Sequence, residues 1–84
     1  MMIFLLEYVN PYERFAFSSI KKAKEHFIQS VLADCHNAYD YTELKLMKIF
    51  TGKTFEEHIY SYSLEQFNER FEEIATITPL SVIE

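Results

Sequence analysis

The spacing of apolar positions changes along the chain, and each change marks a new element. From Met2 to Val9 nearly every residue is apolar, and the run ends at Asn10 and Pro11. Asparagine bonds its own backbone and proline fixes φ, so this reads as a strand entering a turn. Arg14, Phe15, Ala16, Phe17 and Ser18 then put two phenylalanines on one face of an extended segment placed to pair back, which predicts a β-hairpin.

Past Ser18 the period lengthens. Ile20, Ala23, Phe27, Val31 and Cys35 recur at three and four residues, and Ile28 and Leu32 widen the stripe. Lys21, Lys22, Lys24 and Glu25 read as its polar side. With Ser18 or Ser19 as N-cap, this predicts an amphipathic helix of about five turns lying on the sheet. Asp40 and Glu43 have capping-box spacing before Leu44, Met47 and Phe50, and Gly52 is placed to end that second helix.

Residues 55–62 fit two periods. Phe55, Ile59 and Tyr62 suit a helical face, while His58, Tyr60 and Tyr62 alternate with Ile59 and Ser61 as in a strand. A two-stranded hairpin is marginal in water, so a third strand over 57–62 beside Met2–Val9 is the expectation. Ser63 and Gln66 then open a helix carried by Leu64, Phe67, Phe71, Ile74 and Ala75. In 76–84, Pro79 breaks any helix, while Ile77, Leu80, Val82 and Ile83 suit a strand or an interaction tail. The sum is a small single α+β domain over 1–84: a β-hairpin plus a third strand, packed with two to three amphipathic helices.

Composition sets the margin. A chain of 84 residues buries only about 60–65% of its unfolded surface, so its stability should be thin. One cysteine cannot form an internal disulfide, which points to a reducing, cytoplasmic setting. Eight Phe and six Tyr supply a core of few, large side chains. Aromatic surface left outside makes a homodimer a second source of stability. The apolar start meets Glu7 and Asn10 too soon for a membrane span of about 18 residues, and no basic leader precedes it.

The formal net charge is −5, which disfavours direct DNA or RNA binding. Residues 43–84 are the more negative half, with eight acidic and four basic side chains against five and four in residues 1–42.

Catalytic signatures are missing. A single glycine excludes phosphate-cradling loops, dinucleotide fingerprints and nucleophile elbows, which need several residues without a Cβ. Cys35 lies on the apolar stripe and His36 points about 100° away, so the thiol reads as packing. His26, His36, His58, Asp34 and Asp40 lack paired-ligand spacing, and no cofactor or metal is expected. Glu56 with Glu57, and Glu72 with Glu73, read as solvated carboxylates.

Two features read as recognition surfaces. Glu65, Glu69, Glu72 and Glu73 fall along one side of the last helix, opposite Phe67 and Phe71. Tyr39 and Tyr41 lie between helices, and Tyr60 and Tyr62 on the expected strand. Tyrosine is frequent at binding centres, because a large apolar ring carries a hydroxyl that tolerates water. In general kind the chain is similar to the small, acidic, aromatic-rich proteins that phages encode to block a host enzyme or defence complex, a likeness that rests on no motif. The expected function is a non-enzymatic protein-binding module that inhibits or modulates a larger complex. Its partner would be a protein with a basic or nucleic-acid-binding groove. The alternative is an assembly component or homo-oligomer that uses its C-terminal tail.

Overall fold

A computed structural model describes residues 1–9, 12–33 and 41–82 of the chain. Their order is β1 (Met2–Tyr8), β2 (Glu13–Phe17), α1 (Ile20–Leu32), α2 (Tyr41–Thr51), α3 (Phe55–Ser61), α4 (Leu64–Phe71) and β3 (Ala75–Ser81). The strands form one antiparallel sheet in the order β2-β1-β3, so the fold is α+β as the pattern predicts. Four described helices stand where two to three were expected.

The extra helix is α3, which corrects the expected strand at 57–62. Thr54 and Glu57 form a complete capping box, and Phe55 and Ile59, four residues apart, are its buried pair. The alternation of Tyr60 and Tyr62 was coincidental, since Tyr60 is exposed and Tyr62 caps the helix C-terminus. The third strand beside β1 comes instead from the C-terminal segment. Along it, Ala75 and Ile77 are buried on the helix side. The last helix therefore stops at Phe71, before Ile74 and Ala75.

Ser19 caps α1, its Oγ accepting from the Lys22 backbone N–H at 3.2 Å. The described helix runs for 13 residues, and its expected extension to Cys35 lies outside the described residues, as does the Asp40 cap of α2. Gly52 ends α2 at φ 76°, a left-handed conformation that glycine adopts without strain, and its N–H bonds the Lys48 carbonyl at 2.9 Å.

One side of the sheet makes the core. Leu6 faces Phe15 on β2 and Ile77 on β3, and Tyr8 stands beside Ala75. Phe27 of α1 is fully buried at the centre. Its ring lies 4.9 Å from Phe67, 5.2 Å from Phe71, 6.1 Å from Phe55 and 6.4 Å from Tyr8, so one side chain ties α1 to β1, α3 and α4. Lys24 was read as part of the polar side of α1, and this is corrected too: it is only 5% exposed. Residues 24, 27, 28 and 31 share one face at helical spacing, so position 24 points at the core whatever side chain it carries.

The outer edge of β3 is closed from α4. Asn68 Nδ2 donates to the Ile77 carbonyl at 2.8 Å, and its Oδ1 accepts from the Ile77 N–H at 2.7 Å. A single amide side chain thus acts as a further strand at that point. Antiparallel bonds alternate, and Val9 N–H to Ile74 and Val82 N–H to Met1 put the even-numbered residues of β3 against β1. The odd-numbered ones face outward, so the N–H that Pro79 lacks falls on the edge, where proline is tolerated in a strand.

Candidate protein-binding surface

Tyr39 lies outside the described residues, as does the side chain of Tyr41. Tyr60 projects from α3 at 44% exposure, and its phenol is held above the ordinary tyrosine range by burial first and then by the negative charges of Glu25 and Glu56. Tyr62 is half-buried, with its ring 6.2 Å from Phe71 and the Arg70 guanidinium 5.7 Å from its centre, a cation–π arrangement.

Glu65, Glu69, Glu72 and Glu73 are all exposed, and none is in an ion pair with a described residue. Glu65 sits in the first turn of α4, where the positive end of the helix dipole favours a carboxylate. Glu69 lies in the last turn, Glu72 is the C-cap and Glu73 follows it. At that end the dipole favours cations, so helix stability does not account for these three.

Two of the expected residues come together. Tyr62 and Glu69 line an open groove of about 430 Å³ with Gln66 and Arg70, beside the C-terminus of α3. Tyr60 is not part of its lining.

Two buried groups were not legible as such in the sequence. The Lys24 ammonium donates to the Tyr62 carbonyl, so a cation from α1 meets the negative end of α3. Burial pushes this ammonium below the ordinary lysine range. A second unread group is Tyr8, whose hydroxyl bonds His26 Nδ1 at 2.8 Å and donates to Ser30 Oγ at 3.1 Å. The His26 ring lies 4.4 Å from Phe15 and 5.6 Å from Phe17. This network satisfies a buried phenol, and the spacing of His26 and Ser30 four apart was its one signal in the sequence.

The Lys24 arrangement has a definite pH signature. Its folded pKa lies below its unfolded value near 10.5, so between the two the unfolded chain binds more protons and stability rises with pH. Tyr60 works the other way above about 10, where the unfolded phenol loses its proton first. Urea midpoints of wild type and Lys24→Met, both in a Tyr60→Phe background, should therefore differ by an amount that moves in favour of Lys24 as pH rises toward 10.5. A difference that stays constant with pH would show that the ammonium is not desolvated.

Among the described residues no three His, Cys, Asp or Glu side chains form a group that could hold a metal, and no helix is long and apolar enough to cross a membrane. His58 bonds Thr51 Oγ1 at 2.8 Å. Comparison of the chain with protein-family models, curated proteins and solved structures found no match.

Proposed function

We propose that this chain is a non-enzymatic protein-binding module that inhibits or modulates a larger protein complex, engaging a basic site on its partner with the exposed acidic end of α4. The observation that supports this reading is the placement of Glu69, Glu72 and Glu73. All three are exposed, without ion pairs to described residues, at the helix end where negative charge opposes the dipole. Such charges do little for the fold and much for encounter with a cation. Tyr62 and Arg70 beside them offer a ring face and a planar cation in the same groove. A nucleic-acid-binding groove is one basic site of this kind, and blocking it is how a phage-type anti-defence protein would act. The single cysteine suits a reducing compartment such as the cytoplasm.

The alternative, an assembly component or homo-oligomer that uses the C-terminal segment, has a narrower basis. β3 pairs with its own β1, and of its outward-facing groups those of Ile77 are held by Asn68 while Pro79 has no N–H to give.

The test is charge reversal of Glu69 and Glu73 to lysine. Because both sit at the negative end of α4, reversal should leave the fold unchanged or stabilise it by about 0.3–1 kcal/mol per site. Association with a partner recovered by tagged pull-down should behave oppositely. Wild-type on-rates should fall as salt rises, since exposed charges are screened over about 8 Å at physiological ionic strength. The Glu69→Lys, Glu73→Lys chain should bind more slowly and lose most of that salt slope. Unaltered rate, affinity and slope would leave the acidic face a solvated surface and nothing more.

A further inference from the structure

The two edges of the sheet are finished differently. On β3 the outward groups of Ile77 are held by Asn68 and Pro79 has no N–H, so that edge is blocked along its middle. β2 forms the other edge. Because the odd-numbered residues of β1 bond β3, its even-numbered ones bond β2, where their partners are Glu13, Phe15 and Phe17. The N–H and C=O groups of Arg14 and Ala16 therefore point away from the sheet, and no described residue takes them. Such a row is a template for one more strand. Charge does not guard it, since Arg14 is drawn back toward β1 by Glu7 at 3.8 Å.

The two ends of this edge carry opposite charges. Glu13 stands at one end, exposed, on the same face of β2 as Phe15 and Phe17, the face that α1 covers. Lys22 stands at the other. It shares a flank of α1 with His26, whose ring lies against Phe15 and Phe17, and its ammonium donates to Ser18 Oγ at 3.5 Å. Neither Glu13 nor Lys22 is in an ion pair with a described residue. The neighbouring charges are turned elsewhere: Glu25 acts on Tyr60 of α3, and Arg14 lies with Glu7 on the opposite face of the sheet. The first turn of α1 holds no acidic residue, although its dipole favours one there.

We propose that two copies of this chain join edge to edge through β2, antiparallel about Phe15, and so double the three-stranded sheet. In that register Arg14 and Ala16 of each copy exchange backbone hydrogen bonds with Ala16 and Arg14 of the other, and the two half-buried Phe15 rings meet across the axis. Glu13 comes opposite Phe17 of the other copy, close to its Ser19 cap and its Lys22, so each copy supplies the carboxylate that the other's α1 lacks. Sliding one copy by two residues sets Arg14 against Arg14 in one direction and runs past the end of β2 in the other. The assembly closes at two copies, because the β3 edge at either side of the joined sheet is blocked. A strand of another protein would satisfy the backbone, but nothing requires it to present a carboxylate and an ammonium at these two places. The contact uses neither the acidic end of α4 nor the C-terminal segment and goes beyond both.

Sedimentation equilibrium of the full chain over about 1–200 µM should show a monomer–dimer equilibrium. Ala16→Pro removes an outward N–H and sets a ring against the incoming strand, while keeping every bond to β1. It should be monomeric, with the circular dichroism of the wild type. Glu13→Lys should weaken the dimer at least about fivefold at low salt. The decisive variant adds Lys22→Glu to Glu13→Lys. Within one copy these positions lie at opposite ends of β2, so recovery of dimerisation by the swapped pair can come only from contact between copies. Glu69→Lys with Glu73→Lys should dimerise as the wild type does, which keeps this interface distinguishable from the acidic end of α4.

A chain that stays monomeric across that range would overturn the proposal, as would a dimer that survives Ala16→Pro or a swapped pair that stays weak. Should Ala16→Pro fail to fold, the charge swap decides. A monomeric chain that loses a recovered partner on Ala16→Pro would give the edge to a strand of that partner instead.

Discussion

Phe27→Ala is expected to lower the melting temperature by more than about 12 °C. Truncating a buried phenylalanine costs about 3–5 kcal/mol, from lost transfer free energy and the cavity left behind. A chain of 84 residues has a total stability of about 4–13 kcal/mol. The change therefore consumes a large share of the margin. Its effect should sit at the upper end of the range, because Phe27 touches rings from three other elements and no single one can collapse into the space. Phe27→Leu keeps most of the volume and should cost less than the alanine change, although the edge-on contact with Phe67 is lost. Urea unfolding followed by circular dichroism checks both. A Phe27→Ala chain melting within a few degrees of wild type would mean that the core is not organised around this ring.

The elements that were legible in the sequence are those in which local and long-range signals agree. In α1 and α4 the apolar stripe, a serine cap and the polar face point to one answer. The hairpin is equally plain, because Asn10 and Pro11 interrupt an apolar run and Phe15 and Phe17 alternate after it. The region from 55 to 62 is misleading because its tyrosines alternate by chance, while the Thr54–Glu57 capping box marks a helix start.

That a third strand must lie beside β1 was sound physics. The segment that provides it was harder to see, since whether Pro79 belongs to a strand depends on which side of the strand its missing N–H faces. On α2, Leu44, Leu46, Met47, Ile49 and Phe50 surround most of the helix, so periodicity cannot tell the packed side from the exposed one. Phe50 shares its spacing with Leu44 and Met47, yet it is the most exposed of the large apolar residues on the described helices.

Truncation from the C-terminus separates the two roles that the last segment could play. Removing residues 79–84 deletes the pairings of Pro79, Leu80 and Ser81 with Phe4, Ile3 and Met2, and the bond from the Val82 N–H to Met1. Residues 79–82 are exposed or half-exposed, so the loss among the described residues is a few hydrogen bonds worth about 0.5–1.5 kcal/mol each, and the chain should remain folded at a lower melting temperature. Removing residues 75–84 is a different event. Ala75 and Ile77, both fully buried, go with it, Leu6 and Tyr8 lose their neighbours on that side, and Asn68 loses both of its bonds to Ile77. What remains of the sheet is a two-stranded hairpin, which is marginal in water. The longer deletion should therefore abolish the cooperative melt. If instead the shorter one already unfolds the chain, the exposed end of β3 carries more of the fold than its burial indicates, and Leu80 must pack where it is now solvated. If the longer one still melts cooperatively, the helices and the hairpin form a core of their own, and β3 is free to serve another chain.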